Sequence, residues 1–236
     1  MNDELTIIIP AKNEEKNIGK LLEAIKNQDY PLISDTQIYI ADANSTDRTR
    51  EIAQSFPNVT VIPGGMPSVG RNAGARLAKS RYLLFLDSDI IFDRPNLIRK
   101  SVDLMKRKNL HCVAAKLKCK DGRLGDRFLF ILNNLVMYCS KYLSPFAVGM
   151  YILFDKSEFD RLGGFHEKVY YAEDYFLSKQ VKWNKFAVVN GYILTENRRF
   201  KKMGYLKVAR MFINTIFHAG DDSYFLKDHK YWDNPK

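Results

Sequence analysis

The sequence predicts an α/β fold built on a mostly parallel central sheet, and three observations carry that reading. Short β-branched or apolar runs alternate with amphipathic helical segments through the first half of the chain. Three of those runs end in polar clusters: Lys12, Asn13 and Glu14; Asp42; and Asp87, Ser88 and Asp89. At 236 residues, 46% hydrophobic and 27% charged, the chain is long and apolar enough to bury a core.

Leu5–Ile9 is a short, continuous β-branched run closed by Pro10, the pattern of a buried parallel strand. Ile18, Leu21, Leu22 and Ile25 recur at i, i+3, i+4 and i+7, which predicts an amphipathic helix. Gln37–Ala41 predicts a second strand running into Asp42. Asn44, Ser45 and Thr46 then supply N-cap oxygens for a helix over 47–55. Val59–Ile62 reads as a third strand, Pro63–Pro67 as a loop, and 69–79 as a helix. Tyr82–Leu86, the most apolar run of the set, is the fourth strand.

Beyond Asp93 the alternation loosens. A helix over 96–108 precedes a strand over Cys112–Leu117, and 126–143 reads as a helix apolar on most of its faces. Phe146–Phe154 predicts another strand, and Lys156–Leu162 a short helix stopped by Gly163 and Gly164. Glu173 and Asp174 open a helix reaching Lys182; Ala187–Val189 and Tyr192–Leu194 are short β-like pieces. Residues 203–217 read as a basic, apolar-faced helix. The division expected is one domain, with 1–93 and 94–200 as its two halves and 201–236 as a basic amphipathic C-terminal segment.

The formal charge of +10 is unevenly spread. Residues 1–93 hold 10 basic and 13 acidic side chains, net −3, and residues 94–236 hold 27 and 14, net +13. An acidic half suited to a metal thus adjoins a basic half suited to anions. The basic residues are scattered among core segments and form no aromatic-interleaved stripe, which argues against nucleic acid as a partner. Cys112, Cys119 and Cys139 form no CxxC pair, and an odd count opposes a disulfide framework, so a reduced, cytoplasmic setting is expected. The first strand begins within five residues, so no signal peptide is expected before it, and no uninterrupted apolar stretch of about 18 residues predicts a spanning helix.

Ligands of open α/β sheets bind beyond the carboxyl ends of the strands, where all three polar clusters fall. Two carboxylates at the tip of a buried strand, Asp87 and Asp89, repel each other unless a cation or a cationic side chain compensates; Mg²⁺ or Mn²⁺ shared with substrate phosphates suits them, and loop-capping carboxylates have the same pattern. Gly64, Gly65, Ser68, Gly70 and Arg71 lie at or before a helix start, where backbone N–H groups and a guanidinium favour phosphate; an ordinary Gly-Pro loop has the same composition. No GxxxxGK[ST] and no GxGxxG after the first strand occur, which excludes a P-loop and disfavours dinucleotide binding. Glu173 and Asp174 suit either general-base chemistry or plain stabilisation of a helix N-terminus.

Four segments together resemble family 2 glycosyltransferases of the GT-A fold, which are inverting and use nucleotide sugars. They are Ile8–Glu14; Ile40–Asp47; Gly70–Asn72 with Leu83–Asp89; and Gly163–Phe165 with Glu173 and Asp174. The resemblance covers about residues 5–185. It implies a Rossmann-like, mostly parallel sheet flanked by helices, with an acceptor-side subdomain and a C-terminal helix. It also implies that Pro10, Ala11, Asn13 and Glu14 border the nucleoside and that Asp42 lies near base or ribose. Gly70, Arg71, Asp87 and Ser88 would contact the nucleotide sugar. Asp89, with Asp87, would ligate the metal. Asp174 would be the general base, with Glu173 helping to hold the acceptor or that base. At Ala43 many relatives carry a second acidic residue, so UDP- and GDP-sugars both stay open.

The function implied is metal-dependent, inverting transfer of a hexose from a nucleotide sugar to a hydroxyl on a glycan or lipid-linked glycan. Two alternatives remain: a polyprenyl-phosphate acceptor, whose oxygen is already ionised, and a non-catalytic scaffold that binds nucleotide or membrane. Arg198 and Arg199 are candidates to clamp a diphosphate or an anionic acceptor; a solvated basic turn is the other reading. The apolar helices 126–143 and 203–217 allow peripheral contact with an anionic membrane surface, although such helices commonly just cover a core. The four histidines show no ligand spacing, and His218 suits a surface or core role better than a metal.

Overall fold

The computed structural model describes residues 3–169 and 172–196 and, further on, positions 204, 207, 210, 213–215, 217, 218 and 220–227. The strands are β1 (Leu5–Ala11), β2 (Gln37–Asp42), β3 (Val59–Pro63), β4 (Tyr82–Leu86), β5 (Ile91–Phe92), β6 (Cys112–Cys119), β7 (Tyr151–Asp155) and β8 (Phe186–Thr195). The first four helices are α1 (Ile18–Lys26), α2 (Thr49–Gln54), α3 (Pro67–Leu77) and α4 (Leu97–Lys108). After them come α5 (Leu124–Ser140), α6 (Lys156–Arg161), α7 (Glu173–Ser178) and α8 (Asp222–Phe225).

All eight strands join one sheet in the order β3-β2-β1-β4-β7-β6-β8-β5. β1, β2, β3 and β4 pair in parallel, as do β6 and β8, so the mixed α/β architecture expected is present. Side chains alternate across the sheet and feed a core on each face. Ile7, Ile9, Leu84 and Leu86 meet Ile18, Leu21, Leu22 and Ile25 of α1 together with Leu97, Ile98, Val102 and Met105 of α4. Ile8, Leu83 and Phe85 face the other way, against Ala75, Phe159, Phe165 and Leu177.

β7 departs from the parallel pattern. It runs antiparallel between β4 and β6, with Tyr151 opposite Leu86, so the segment just before it lies at the carboxyl end of β4. The strand expected over 146–154 is correspondingly shorter. Phe146 N–H donates to Ser140 Oγ at 2.9 Å, Ala147 N–H to Ser178 Oγ at 3.1 Å and Gly149 N–H to Asp174 at 2.6 Å, which takes these groups out of any ladder. The two β-like pieces at 187–189 and 192–194 are one strand. Its pairing with β6 jumps from Ala115–Val189 to Lys116–Tyr192, leaving Asn190 and Gly191 as a bulge.

Two helices also differ from expectation. Asn44, Ser45 and Thr46 do not cap α2; Asp47 Oδ1 accepts from Thr49 N–H at 3.0 Å instead. The trio laces the two neighbouring turns, with Asn13 N–H donating to Ser45 Oγ and Thr46 N–H to Asn13 Oδ1, both at 2.9 Å. α7 ends at Ser178, four residues before the predicted Lys182. The helix expected over 203–217 lies largely outside the described residues, and its described positions 207, 210, 213–215 and 217 are helical.

Small residues set how closely α3 approaches the sheet. A Cβ at Gly70 would sit 3.0 Å from that of Ala41, and one at Gly74 only 2.6 Å from Ile8 Cγ2. Gly74→Ala is therefore expected to lower stability by about 1–3 kcal/mol through overpacking, despite alanine's better helix propensity. A lowered urea midpoint at unchanged m-value checks this, and a raised midpoint would refute it.

Candidate active site

The carboxyl ends of β1, β2 and β4 meet at one edge, and most of the predicted site residues gather there. Asp42 closes β2 and is buried. Its Oδ2 accepts from Ser45 N–H at 3.1 Å and faces Arg50 Nε at 3.6 Å, while Oδ1 is buried with no hydrogen-bond partner among the described residues. An orphaned buried carboxylate oxygen asks for a donor. Glu14 N–H donates to Thr49 Oγ1 at 2.7 Å, and Asn17 Nδ2 to the Glu14 carboxylate at 2.6 Å, so the turn after β1 is fixed beside Asp42. Gly70, expected to contact the nucleotide sugar, is turned toward Pro10 and Ala41 of the sheet, where its missing side chain lets α3 seat closely.

Arg71 is the hub of the cluster. Its side chain is 3% exposed, which demands charge compensation. Nη2 donates to Asp87 Oδ1 at 2.7 Å, Nη1 to Glu173 Oε1 at 2.8 Å, and the Phe165 ring centre lies 5.2 Å from Cζ. Burial works against the guanidinium charge, but Asp87, Glu173 and Asp174 more than offset it and hold its pKa above the ordinary value. Nε is buried with no hydrogen-bond partner among the described residues.

Asp174 is held from two sides: Gly149 N–H donates to Oδ2 at 2.6 Å and Tyr175 N–H to Oδ1 at 2.8 Å. Burial, and then the negative charge of Glu173, push its carboxyl up to about 6, against the two N–H groups and Arg71. The residue before this pair, Ala172, takes a left-handed backbone with φ 56° at the N-terminus of α7, a conformation disfavoured for alanine. Tyr175 and Phe225 are buried together, and Lys179 Nζ lies 2.5 Å from Asp222 Oδ1, so α8 braces the helix that carries Asp174.

Gly149 was not legible as a site residue. Its carbonyl lies 3.4 Å from Arg71 Nη2, and a Cβ on it would lie 3.0 Å from that nitrogen and 3.3 Å from Asp174 Oδ2. A glycine inside an apparent strand was the available signal, since it marks a close backbone approach. Gly149→Ala must push either Asp174 or Arg71 aside. The expected loss in kcat is on the order of 10–100-fold with the fold intact, read by steady-state kinetics beside circular dichroism.

Asn72 ties the two halves of the chain together. Its Nδ2 donates to Phe165 O at 2.7 Å, and Phe165 N–H donates back to Oδ1 at 2.9 Å. Gly163 and Gly164, with φ of 82° and 72°, provide the left-handed turn that presents Phe165. A separate hollow of about 460 Å³ behind this turn is lined by Asn72, Arg76, Phe159 and His166, among others, and none of the predicted site carboxylates borders it. Arg198 and Arg199 lie outside the described residues. His218 stacks on Tyr224 with ring centres 4.1 Å apart and sits at the surface, as expected. Cys112, Cys119 and Cys139 are free thiols.

Asp87 and Asp89 leave β4 two residues apart, both partly exposed hard-oxygen donors. Among the described residues no group of three His, Cys, Asp or Glu side chains comes together as a metal cage. Two carboxylates without a cage fit Mg²⁺ or Mn²⁺, which complete their shells with substrate phosphate oxygens and water.

The mixed, mostly parallel sheet flanked by helices has the α/β architecture of glycosyltransferases of the GT-A fold. The chain belongs to glycosyl transferase family 2, whose model matches residues 6–163. A poly(ribitol-phosphate) beta-glucosyltransferase of Bacillus spizizenii is 32% identical over 139 residues, which are 56% of this chain; the chain spans only 22% of that relative's length. Among solved structures, the mannosyltransferase PcManGT from Pyrobaculum calidifontis, in complex with GDP-Man and Mn²⁺, superposes with a TM-score of 0.68 at 19% identity. The match covers 92% of this chain and 65% of that one. TarS 1-349 of S. aureus, in complex with UDP-GlcNAc, gives a TM-score of 0.64 at 23% identity over 83% of this chain and 59% of its own.

Proposed function

We propose that this chain transfers a hexosyl group, with inversion, from a UDP- or GDP-sugar to a hydroxyl on a glycan or lipid-linked glycan. The observation that carries the reading is the Asp174 carboxylate, fixed by two backbone N–H groups beside the Arg71 hub. In the reaction the acceptor hydroxyl gives its proton to Asp174 as its oxygen bonds the anomeric carbon. The bond from that carbon to the diphosphate breaks, and its electron pair stays on the diphosphate oxygen.

Asp42 offers its unpartnered Oδ1 to a donor group of base or ribose, next to Pro10, Ala11, Asn13 and Glu14. Asp89 and Asp87, with Ser88 between them, would hold Mg²⁺ or Mn²⁺. When bound, that ion supplies Lewis-acid stabilisation of the charge growing on the leaving diphosphate. Arg71 has a different part: it keeps Asp87 and Glu173 in place and moderates the proton affinity of Asp174.

A thermal-shift comparison of UDP, GDP and their sugars, with and without Mn²⁺, tests the donor side. A rise in Tm that depends on both nucleotide and Mn²⁺, and is lost in Asp89→Asn, is expected by mass action. No response to any nucleotide would overturn the proposal.

A further inference from the structure

One face of α5 packs on β6 and β8, where Asn134 bonds the N–H and C=O of Leu117, both at 2.8 Å. The opposite face is apolar and open. Leu124, Phe128, Ile131, Leu135, Tyr138 and Tyr142 fall on one stripe at helical spacing, with Phe128 and Ile131 each 65% exposed. The next turn adds Leu143 at 90%. An outward stripe running the length of a 17-residue helix exceeds the scattered apolar exposure usual at a soluble surface.

Charge decides what covers it. Arg123 and Arg127 are exposed at the N-terminal end of the helix and Lys118 and Lys120 in the segment leading into it, against Asp121, while Asp126 is buried. At the other end Lys141 Nζ lies over the Tyr138 and Tyr142 rings, at 4.9 and 4.6 Å from their centres. A second copy of the chain laid along this face, parallel or antiparallel, sets cations against cations. A surface with an apolar interior and negative headgroups meets every element of the stripe: rings and aliphatic chains below, lysines and arginines reaching out to the anions.

We propose that the outer face of α5 docks this chain on an anionic lipid surface. The helix lies along the surface, since its inner face stays on the sheet; among the described residues no helix is long and apolar enough to cross a membrane. The inference is independent of the donor chemistry, because its readout needs no turnover.

Flotation with vesicles of phosphatidylcholine, alone or mixed with phosphatidylglycerol, tests it. The chain should float with the mixed vesicles and not with the neutral ones, and added salt should weaken the association. The double substitution Phe128→Ser and Leu135→Ser should reduce it on the order of tenfold or more. Arg123→Glu with Arg127→Glu should reduce it too, while both variants keep the wild-type circular dichroism spectrum. Absence of flotation, equal flotation with both vesicles, or undiminished flotation of the variants would overturn the proposal. A dimer in sedimentation velocity that the serine pair dissolves would overturn it as well, by making a second copy the occupant.

Discussion

Asp174→Asn is expected to lower kcat on the order of 10²–10⁴-fold while the nucleotide-induced rise in Tm survives. Asparagine keeps the size of the side chain but cannot take the acceptor's proton. The wild-type pH profile should show why this carboxyl suits the role. With its pKa pushed up to about 6 by burial and by Glu173, the base is charged and competent above that pH and protonated below it. The acid limb of kcat/KM, which reports the unliganded protein, should therefore lie near pH 6, well above an ordinary aspartate. The same shift acts on stability in the opposite sense. The folded value exceeds the unfolded one, so the group's contribution is complete below the ordinary aspartate pKa and is lost as the pH rises through about 6. Acidification from about pH 7 to about pH 5 should relieve that loss in the wild type and do so less in Asp174→Asn. Unchanged turnover in the variant would refute the assignment and favour an acceptor oxygen that is already ionised, such as a phosphate.

Arg71→Met is expected to cost about 3–5 kcal/mol of stability, because it strands Asp87 and Glu173 without the cation between them. Methionine fills similar space, so a cavity is not the cause. Arg71 also lowers the proton affinity of Asp174, and its loss should move the acid limb to higher pH. Glu173→Gln should move the same limb to lower pH, since Glu173 raises that pKa. Opposite movements in the two variants are the signature of an electrostatic relay. Urea denaturation and pH–rate profiles read both, and limbs that stay fixed in the two variants would remove Arg71 from the mechanism.

The parts legible in the sequence are those whose signal is local. β1 and β4 are continuous β-branched or apolar runs, α1 carries its own period, and Asp42, Asp87 and Asp89 announce themselves by closing apolar strands. What escaped depends on distant partners. Arg71 reads as a phosphate-facing arginine beside a helix start, yet its counter-ion Glu173 is 102 residues away, and only the folded sheet brings them together. Gly149 and its neighbours look like strand because their side chains do; the direction of β7 and the hydrogen bonds to Ser140, Ser178 and Asp174 decide otherwise. The bulge at Asn190 and Gly191 was hidden for the same reason, since register is a property of two strands.

The reciprocal amide bridge between Asn72 and Phe165 bears on how such enzymes can be recombined. A hybrid that grafts a foreign sequence after residue 93 inherits the asparagine from one parent and the glycine-rich turn from the other. Only donors of that turn whose backbone meets Asn72 will seat the aromatic ring beside the buried guanidinium. A recombined chain keeps this tie only where that one carboxamide meets that one loop.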